Sequence, residues 1–332
     1  MAWNSLEIVA PVYNDWESFA ILVERLDLVL ADARLSANIT AIDDGSNTTM
    51  QPEAIQRNTL RAIRKIDVVR LACNMGNQRA VAVGIVLVAK KQTDSLVIVM
   101  DSDGDDRPED VIALVRKANE VGTGIVCAHR GKRSENLSFR IWYGLYKVAF
   151  KLMTGKVIDF GNFMAITKTA LTMLAHHPSL WNNLPATVVL SRISLTRLYT
   201  ERGTRFHGKP KMNFVSLLIH GLSAISVFLD IFLVRLLCGL AVVMAGALIA
   251  TAIIIFIRFF TDFATAGWAT AAAGPLVVVF LTSLFVAALA TLGLLSNRSA
   301  LQTVPFTDAS RFIVSTTTVY HRSATPALLG QT

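Results

Sequence analysis

The sequence VMDSDGDDRPED, residues 99–110, follows an apolar run and carries four aspartates within residues 101–106. Carboxylates this close repel one another unless a cation lies among them, so the stretch predicts a site for a hard divalent metal. An EF-hand is excluded because the glycine and the final glutamate of that loop would fall on Asp106 and Ile112. A solvated acidic turn at the start of the following helix is the open alternative, since acidic residues are favoured there.

Short apolar runs alternate with helical patterns on both sides of this stretch, from Leu6 to about Val126. The alternation predicts an α/β fold with a mostly parallel, Rossmann-like sheet. Ligands collect at the carboxyl ends of strands in such sheets, and polar clusters follow several of the predicted strands. The predicted strands are residues 6–10, 38–42, 67–70, 95–100 and 124–128, and the polar clusters are residues 11–15, 43–46, 74–77 and 101–106.

The C-terminal third is strongly apolar and predicts a membrane anchor. Residues 236–257 contain no charge and, at about 1.5 Å rise per residue, are long enough to cross a hydrocarbon core of about 30 Å. Residues 273–295 form the second predicted span of a helical hairpin. Basic residues flank the pair while the connecting loop has few, so the positive-inside rule places the α/β domain and both termini in the cytoplasm.

Two amphipathic patterns accompany the anchor, one at about residues 137–153 and one at residues 214–229, which leads directly into the first span. The pattern at about residues 137–153 predicts a helix lying in a membrane interface, with an ordinary core-facing helix as the open alternative. The tail beyond the spans is rich in serine and threonine, and predicts either a peripheral strand or a disordered segment. The predicted organisation is an α/β domain over 1–212, a juxtamembrane amphipathic helix over 213–231, two transmembrane helices within 232–296 and a cytoplasmic tail over 297–332.

Charge and cysteine content exclude several classes of protein. The formal net charge is +8, but no nucleic-acid-binding motif accompanies it, so nucleic acid is excluded as a partner and anionic lipid or phosphate is favoured. Cys73, Cys127 and Cys238 are far apart, which indicates neither a disulfide framework nor a zinc site. The N-terminus lacks the pattern of a cleavable signal peptide. Basic clusters lie at Arg130, Lys132, Arg133 and Arg140, and at Arg202, Arg205, Lys209 and Lys211.

With these motifs in this order, the chain resembles the family 2 glycosyltransferases of the GT-A fold. Within them it is similar to the polyprenyl-phosphate sugar synthases, the group that contains dolichol-phosphate mannose synthase and the bacterial bactoprenol glucosyltransferases. Each motif alone is weak, but the ordered set together with a two-span hairpin is specific. The matching segments are VAPVYND (9–15), IDDGS (42–46), NMGNQRAVAVGI (74–85), MDSDGDDRPED (100–110), AHRGKR (128–133) and RFHGKPK (205–211).

The resemblance implies an activity and a set of site residues. The expected activity is transfer of one sugar from a UDP- or GDP-linked donor to undecaprenyl or dolichyl phosphate, assisted by Mg²⁺ or Mn²⁺, with inversion at the anomeric carbon. Homo-oligomer formation is left open. The resemblance implies that the nucleotide-sugar residues are Pro11, Tyr13, Asp15, Ile42, Asp43, Asp44 and Ser102, that the metal ligands include Asp101 and Asp103, and that the phosphate and acceptor residues include Arg130, Arg205 and Lys211. The predicted catalytic residues are Asp101, Asp103 and Arg130. Asp105 is predicted as a third metal ligand from its place beside these aspartates, and Arg133 and Arg140 are predicted as further phosphate and acceptor residues from the basic cluster.

Three positions depart from the family pattern. Asp15 stands where glutamate is common, and Asp105 stands where glutamine or serine is common. A GDF-type element reads Gly161-Asn162-Phe163, which puts a general base at position 162 in doubt.

Two other functions stay open on the sequence. The chain could be a catalytically silent, membrane-anchored subunit or scaffold that binds nucleotide sugars, although intact Asp101, Asp103 and Arg205 argue against this. It could also be a polysaccharide synthase, but it has no QxxRW sequence and two spans make a poor channel.

Overall fold

The structure, a computed structural model, describes residues 3–50, 60–130, 137–207, 214–261, 265 and 267–322. The chain divides into two compact units. The α/β unit comprises Met1–Glu135, Ile158–Val227 and Thr303–Thr332, and the helical unit comprises Asn136–Val157 and Phe228–Gln302.

The described part of the α/β unit contains one eight-stranded sheet with the order β7-β5-β6-β4-β1-β2-β3-β8. Strands β1 to β5 and β7 run in one direction, whereas β6 and β8 are antiparallel to their neighbours. All five strands predicted from the sequence are confirmed. The strands are β1 (Ser5–Val12), β2 (Ser36–Asp43), β3 (Ile63–Leu71), β4 (Leu96–Val99), β5 (Ile125–Arg130), β6 (Met164–Ile166), β7 (Leu195–Thr200) and β8 (Ile313–His321).

Helices cover both faces of this sheet, which makes a three-layer α/β fold. Alternating side chains of each strand face opposite layers: Ile8 packs with α1 and α3, whereas Val9 packs with α2, α5 and α6. The predicted α/β class with a mostly parallel sheet is confirmed. The helices of this unit are α1 (Trp16–Asp32), α2 (Asn77–Lys91), α3 (Pro108–Val121), α5 (Lys168–Ala175), α6 (Leu184–Leu190), α7 (Phe214–Ser226) and α10 (Pro305–Asp308), with 3₁₀ turns at Pro178–Trp181 and Ala309–Phe312.

The helical unit contains α4 (Leu137–Thr154), α8 (Leu229–Phe260) and α9 (Trp268–Ser299). The most apolar windows of α8 and α9 have mean hydropathies of 2.8 and 2.5, and only 6% and 11% of them are buried. A core helix of a soluble protein would be covered by other protein atoms, so the two helices are candidate membrane spans. The predicted spans 236–257 and 273–295 lie within them.

Contacts at one end of the helical unit connect its three helices. Arg235 Nη1 donates to the carbonyl oxygen of Leu152 at 2.9 Å, which joins α8 to the end of α4. Asp230 at the start of α8 accepts a hydrogen bond from Asn297 of α9 at 3.0 Å. The predicted interface helix at 137–153 is therefore a helix, but it packs in the helical unit and not in the α/β domain where the sequence placed it.

The predicted boundaries change on both sides of the hairpin. Helix α7 ends at Ser226 and α8 begins at Leu229, so the juxtamembrane helix predicted over 213–231 is interrupted. The tail predicted over 297–332 is not separate in its described part, because β8 pairs antiparallel with β3 over Lys65–Leu71. Of the two alternatives for this tail, the structure has the strand. The chain thus returns to the α/β unit after the two long helices.

Asp27 holds the start of β3 from the side of α1. Its carboxylate is 5% exposed and accepts from the backbone N–H groups of Arg61, Ala62 and Ile63 at 2.8, 2.7 and 2.9 Å. Buried N–H groups without an acceptor are costly, so this side chain fixes where β3 enters the sheet.

We expect Asp27→Ala to lower the free energy of unfolding by about 3 kcal/mol, because three backbone donors lose a charged acceptor. Urea unfolding of the purified chain in detergent micelles measures the change. Asp32→Ala, at an exposed position of the same helix, should change the free energy by less than about 0.5 kcal/mol. Equal losses in the two variants would contradict this role of Asp27.

Candidate functional site

The polar clusters predicted at strand ends meet at one edge of the sheet, because β1 to β5 and β7 all end there. The Ser102 hydroxyl, after β4, donates to the carbonyl oxygen of Pro11 in β1 at 2.9 Å. The backbone N–H of Asp44, after β2, donates to the carbonyl oxygen of Val12 at 2.9 Å. The three strand ends are therefore hydrogen-bonded to one another.

The two aspartates after β2 are used to build the turn. Asp43 accepts from the backbone N–H of Ser46 at 2.9 Å. Asp44 is 3% exposed, and its two oxygens accept from the N–H groups of Met75 at 2.7 Å and Gly76 at 3.0 Å, at the start of α2. Burial raises the pKa of the Asp44 carboxyl, against the lowering effect of these two N–H groups. Both carboxylates thus hold the backbone of the turns that border the site.

The residues predicted to hold the nucleoside differ in their exposure to solvent. Ile42, Asp43 and Asp44 are all at most 3% exposed, whereas the Tyr13 side chain is 40% exposed at the end of β1. Among these, Tyr13 presents the surface that a nucleoside could contact.

The aspartate loop, residues 101–106, contains carboxylates in different settings. Asp106 is 1% exposed and accepts from the backbone N–H of Asp101 at 2.8 Å, so it holds the loop together. Asp101 accepts from the side-chain amide of Asn77 at 3.3 Å. Burial, followed by the negative charge of Asp101, raises the pKa of the Asp103 carboxyl, and the nearby Asp105 adds to it. Asp103 is therefore a carboxylate that a cation would stabilise.

Arg205 supplies a positive charge to this loop from a distant part of the chain. Its guanidinium lies 3.2 Å from Asp15 and 3.2 Å from Asp103, and the three side chains are 15–21% exposed. A second arginine, Arg202, forms an ion pair with Asp105. Within the described residues no group of three or more histidine, cysteine, aspartate or glutamate side chains is arranged to hold a metal ion.

The structure describes the positions of two of the four remaining residues that were predicted to bind phosphate. Arg130 is the last residue of β5, at the same edge of the sheet, and Arg140 lies in α4 of the helical unit. Arg133 and Lys211 lie outside the described residues. The roles of all four stay predictions.

Sequence reasoning gave no role to several residues that the structure brings to the site. Asn77 contacts Asp101, as described above. Gln78 donates to Asn162 at 3.1 Å and accepts from the backbone N–H of Leu184 at 2.8 Å. Arg202 was recognised only as part of a basic cluster. A polar pair at the start of a helix that follows a strand was the signal for Asn77 and Gln78, whereas no local signal connects Arg202 with Asp105.

Comparisons with known proteins agree with this architecture. The sequence model of the family described as Glycosyl transferase family 2 matches residues 7–177. The undecaprenyl-phosphate 4-deoxy-4-formamido-L-arabinose transferase of Salmonella choleraesuis (strain SC-B67) is 26% identical over 219 residues, which are 65% of this chain and 64% of the relative. The enzyme of the same name from Salmonella newport (strain SL254) has the same identity and coverage. The chain thus spans less than two thirds of the length of these relatives.

Among solved structures, the chain is similar to the glucosyl-3-phosphoglycerate synthase of Mycobacterium tuberculosis in complex with Mn²⁺, UDP-glucose and phosphoglyceric acid. That structure has a TM-score of 0.49 and 14% sequence identity, and the match covers 69% of this chain and 79% of the synthase.

Gly45 lies in the turn after β2, and its conformation sets how closely β2 approaches the start of α2. Its φ is +71°, and an added Cβ would lie 2.6 Å from the backbone nitrogen of Asn74. Gly122 has a similar φ of +76° but nothing within 4 Å of its Cβ position. The pair separates the cost of the backbone conformation from the cost of a steric clash.

We expect Gly45→Ala to lower the free energy of unfolding by about 2 kcal/mol more than Gly122→Ala does, because backbone atoms have to move apart. Gly122→Ala should cost about 1 kcal/mol, from the left-handed backbone alone. Urea unfolding of both variants in micelles measures the difference. Equal losses would show that the β2 turn has room for a side chain.

Proposed function

This chain belongs to glycosyl transferase family 2, and we propose that it transfers a single sugar from a nucleotide-diphosphate donor to a polyprenyl phosphate at the cytoplasmic face of a membrane. The names of the Salmonella relatives, both undecaprenyl-phosphate sugar transferases, support the acceptor. The candidate membrane spans α8 and α9 support access to a lipid substrate.

The observation that carries the proposal is Arg205 lying 3.2 Å from both Asp15 and Asp103 at the carboxyl edge of the sheet. Transfer between two phosphorylated molecules requires carboxylates for a cation and basic groups for phosphate oxygens. The structure provides carboxylates and a guanidinium within one small site. A protein that only displays nucleotide sugars would need the donor pocket but not this combination.

On the donor side, the exposed Tyr13 ring and the end of β1 would contact the nucleoside. Asp43 and Asp44 would act through the turn and through the start of α2, because they are buried and bonded to backbone N–H groups. Ser102, bonded to Pro11, would hold the aspartate loop beside β1. The nucleotide thus lies across the ends of β1, β2 and β4 in this proposal.

The carboxylates fit a divalent metal. Asp101 and Asp103 would hold Mg²⁺ or Mn²⁺, since hard cations prefer carboxylate oxygens and Asp103 sits where burial and a neighbouring carboxylate disfavour its own charge. When bound, the metal supplies charge neutralisation for the departing nucleoside diphosphate. One or two carboxylates suffice for this, because such metals commonly keep water and substrate phosphates as further ligands.

The acceptor requires positioning more than deprotonation. A phosphate monoester has a second pKa of about 6 and is largely ionised near neutral pH. Asn162, which replaces a carboxylate of the family pattern, is 8% exposed and bonded to Gln78, so it is fixed in place and carries no charge. Attack of the acceptor oxygen in line with the departing diphosphate, with inversion at the anomeric carbon, follows from such positioning.

The orientation in the membrane follows from charge and topology. Arg235, near the start of α8, and Arg298, near the end of α9, lie at the same end of the pair, since both helix ends adjoin Asp230. β8 returns the chain to the α/β unit after both helices. The α/β unit and the chain on both sides of the hairpin would therefore face the cytoplasm.

The decisive experiment incubates the purified chain in detergent micelles with undecaprenyl phosphate, Mn²⁺ and a panel of labelled UDP- and GDP-sugars. We expect one donor to give a single-sugar lipid that an organic solvent extracts. Products with many sugars would favour a polysaccharide synthase. Failure of every donor, tested also with dolichyl phosphate, would favour a silent nucleotide-sugar-binding subunit.

We expect Asp103→Asn to reduce formation of this sugar lipid by at least about 100-fold, because charge neutralisation at the departing diphosphate is lost. Asp94→Asn is the matched control, since the Asp94 side chain is 91% exposed and away from the site. Unchanged product formation by Asp103→Asn would remove the metal-assisted mechanism.

We expect Arg205→Ala to raise the KM for polyprenyl phosphate by about tenfold or more, since a charge-assisted contact to phosphate is lost. UDP affinity, measured by calorimetry, should change by less than about threefold. Arg311→Ala, a 78% exposed arginine, should change neither quantity. Loss of nucleotide affinity with normal lipid turnover per bound donor would contradict the role assigned to Arg205.

A further inference from the structure

The segment that follows β7, residues 201–207, lies along the aspartate loop, and we call it the strap. We infer that Arg202 and Asp105 are positioning residues, whose ion pair anchors the strap to the aspartate loop and holds Arg205 across Asp15 and Asp103. Asp105 then acts through Arg202 and not as the third metal ligand predicted from the sequence. This inference rests on the proposed function for the role of Arg205, but not for the anchoring itself.

Backbone hydrogen bonds align the strap with the loop. The N–H of Gly203 donates to the carbonyl oxygen of Asp105 at 3.1 Å, and the N–H of Phe206 donates to the carbonyl oxygen of Asp103 at 2.8 Å. In the sequence, Gly203 comes before Arg205 and Phe206 comes directly after it. The two bonds define which strap residue faces which loop residue.

Close packing leaves no room for a side chain at positions 104 and 203. A Cβ on Gly203 would lie 2.1 Å from the carbonyl oxygen of Gly104, and a Cβ on Gly104 would lie 2.8 Å from the ring of Phe206. The guanidinium of Arg25, on α1, lies 4.8 Å from the centre of the same ring. The strap is thus held between the aspartate loop and α1.

Apart from the pairs that Arg205 itself makes, the Arg202–Asp105 pair is the least exposed ion pair of the strap. Its side chains are 28% and 24% exposed, whereas Glu201, which pairs with Arg107, is 77% exposed. His207 and its partner Glu17 are 63% and 75% exposed. Because exposed pairs contribute little, the Arg202–Asp105 pair is the one that can anchor the strap independently of Arg205.

Asp103 and Asp105 also differ in the groups that they contact. Asp103 has an oxygen that accepts from the N–H of Asp105 and a second that pairs with Arg205. The Asp105 side chain pairs with Arg202, the residue directly before Gly203, and the backbone N–H of Gly203 donates to the carbonyl oxygen of Asp105. Both the backbone and the side chain of Asp105 therefore bind the strap. Losing Arg202 would remove the side-chain anchor that supports the position of Arg205 from the neighbouring part of the strap.

The test compares Arg202→Gln, Arg202→Lys and Asp105→Asn with a matched control, Glu201→Gln, which breaks the exposed pair of the same strap. Hydrogen–deuterium exchange of residues 201–207 is measured in the full chain without substrate. We expect about tenfold faster exchange in Arg202→Gln and Asp105→Asn, because a charge-assisted contact is lost. Arg202→Lys, which keeps the charge, and Glu201→Gln should stay within about threefold of the natural chain.

Two further measurements separate an anchor from a ligand. Binding of Mn²⁺ in the presence of UDP, followed by electron paramagnetic resonance, should weaken by less than about threefold in Asp105→Asn and by more than about tenfold in Asp103→Asn. The KM for polyprenyl phosphate should rise about fivefold or more in Arg202→Gln, with UDP affinity unchanged.

The inference is wrong if Asp105→Asn loses Mn²⁺ affinity as Asp103→Asn does, or if strap exchange in Arg202→Gln matches Glu201→Gln. These outcomes are distinct from failure of the proposed function. If the natural chain makes no sugar lipid with any donor while exchange responds to Arg202→Gln as expected, the anchor stands and the enzymatic assignment falls.

Discussion

The site depends on the electrostatic pairing of Arg205 with Asp15 and Asp103. A parallel sheet brings the ends of several strands to one edge, and in this chain those ends carry aspartates. Neighbouring carboxylates repel one another and disfavour a compact arrangement unless positive charge is present. Arg205 provides that charge from a segment 190 positions away from Asp15 in the sequence. The pairing therefore joins the first strand, the aspartate loop and the chain after β7 into one site.

The carboxylates at this edge perform two different kinds of work. Asp43, Asp44 and Asp106 are almost fully buried and accept backbone N–H groups, so they define the shape of the turns. Asp15 and Asp103 are partly exposed and pair with the side chain of Arg205, so they lie where a ligand can reach them. Residue type does not distinguish these groups, but burial and hydrogen bonding do.

The sequence predicts the fold better than it predicts the site. Strands β1 to β5 are apolar runs bounded by polar turns, so their local pattern is sufficient. β6 is too short for such a pattern. β8 contains three consecutive threonines and follows two long apolar helices, so its pairing with β3 depends on contacts remote in sequence. Asp103 is found from its spacing to Asp101. The partnership of Arg202 with Asp105 spans 97 positions and has no local signature.

The return of the chain to the sheet as β8 has a consequence for biosynthesis. Synthesis runs from the N-terminus, so the ribosome produces β1 to β7 first, then the two apolar helices, and β8 last. Until β8 arrives, the β3 edge presents unpaired backbone groups to other nascent chains. Completion of the α/β unit thus waits for translation through the hairpin. A chain stalled or truncated before residue 313 keeps an open sheet edge, which chaperones and proteases of cellular quality control recognise.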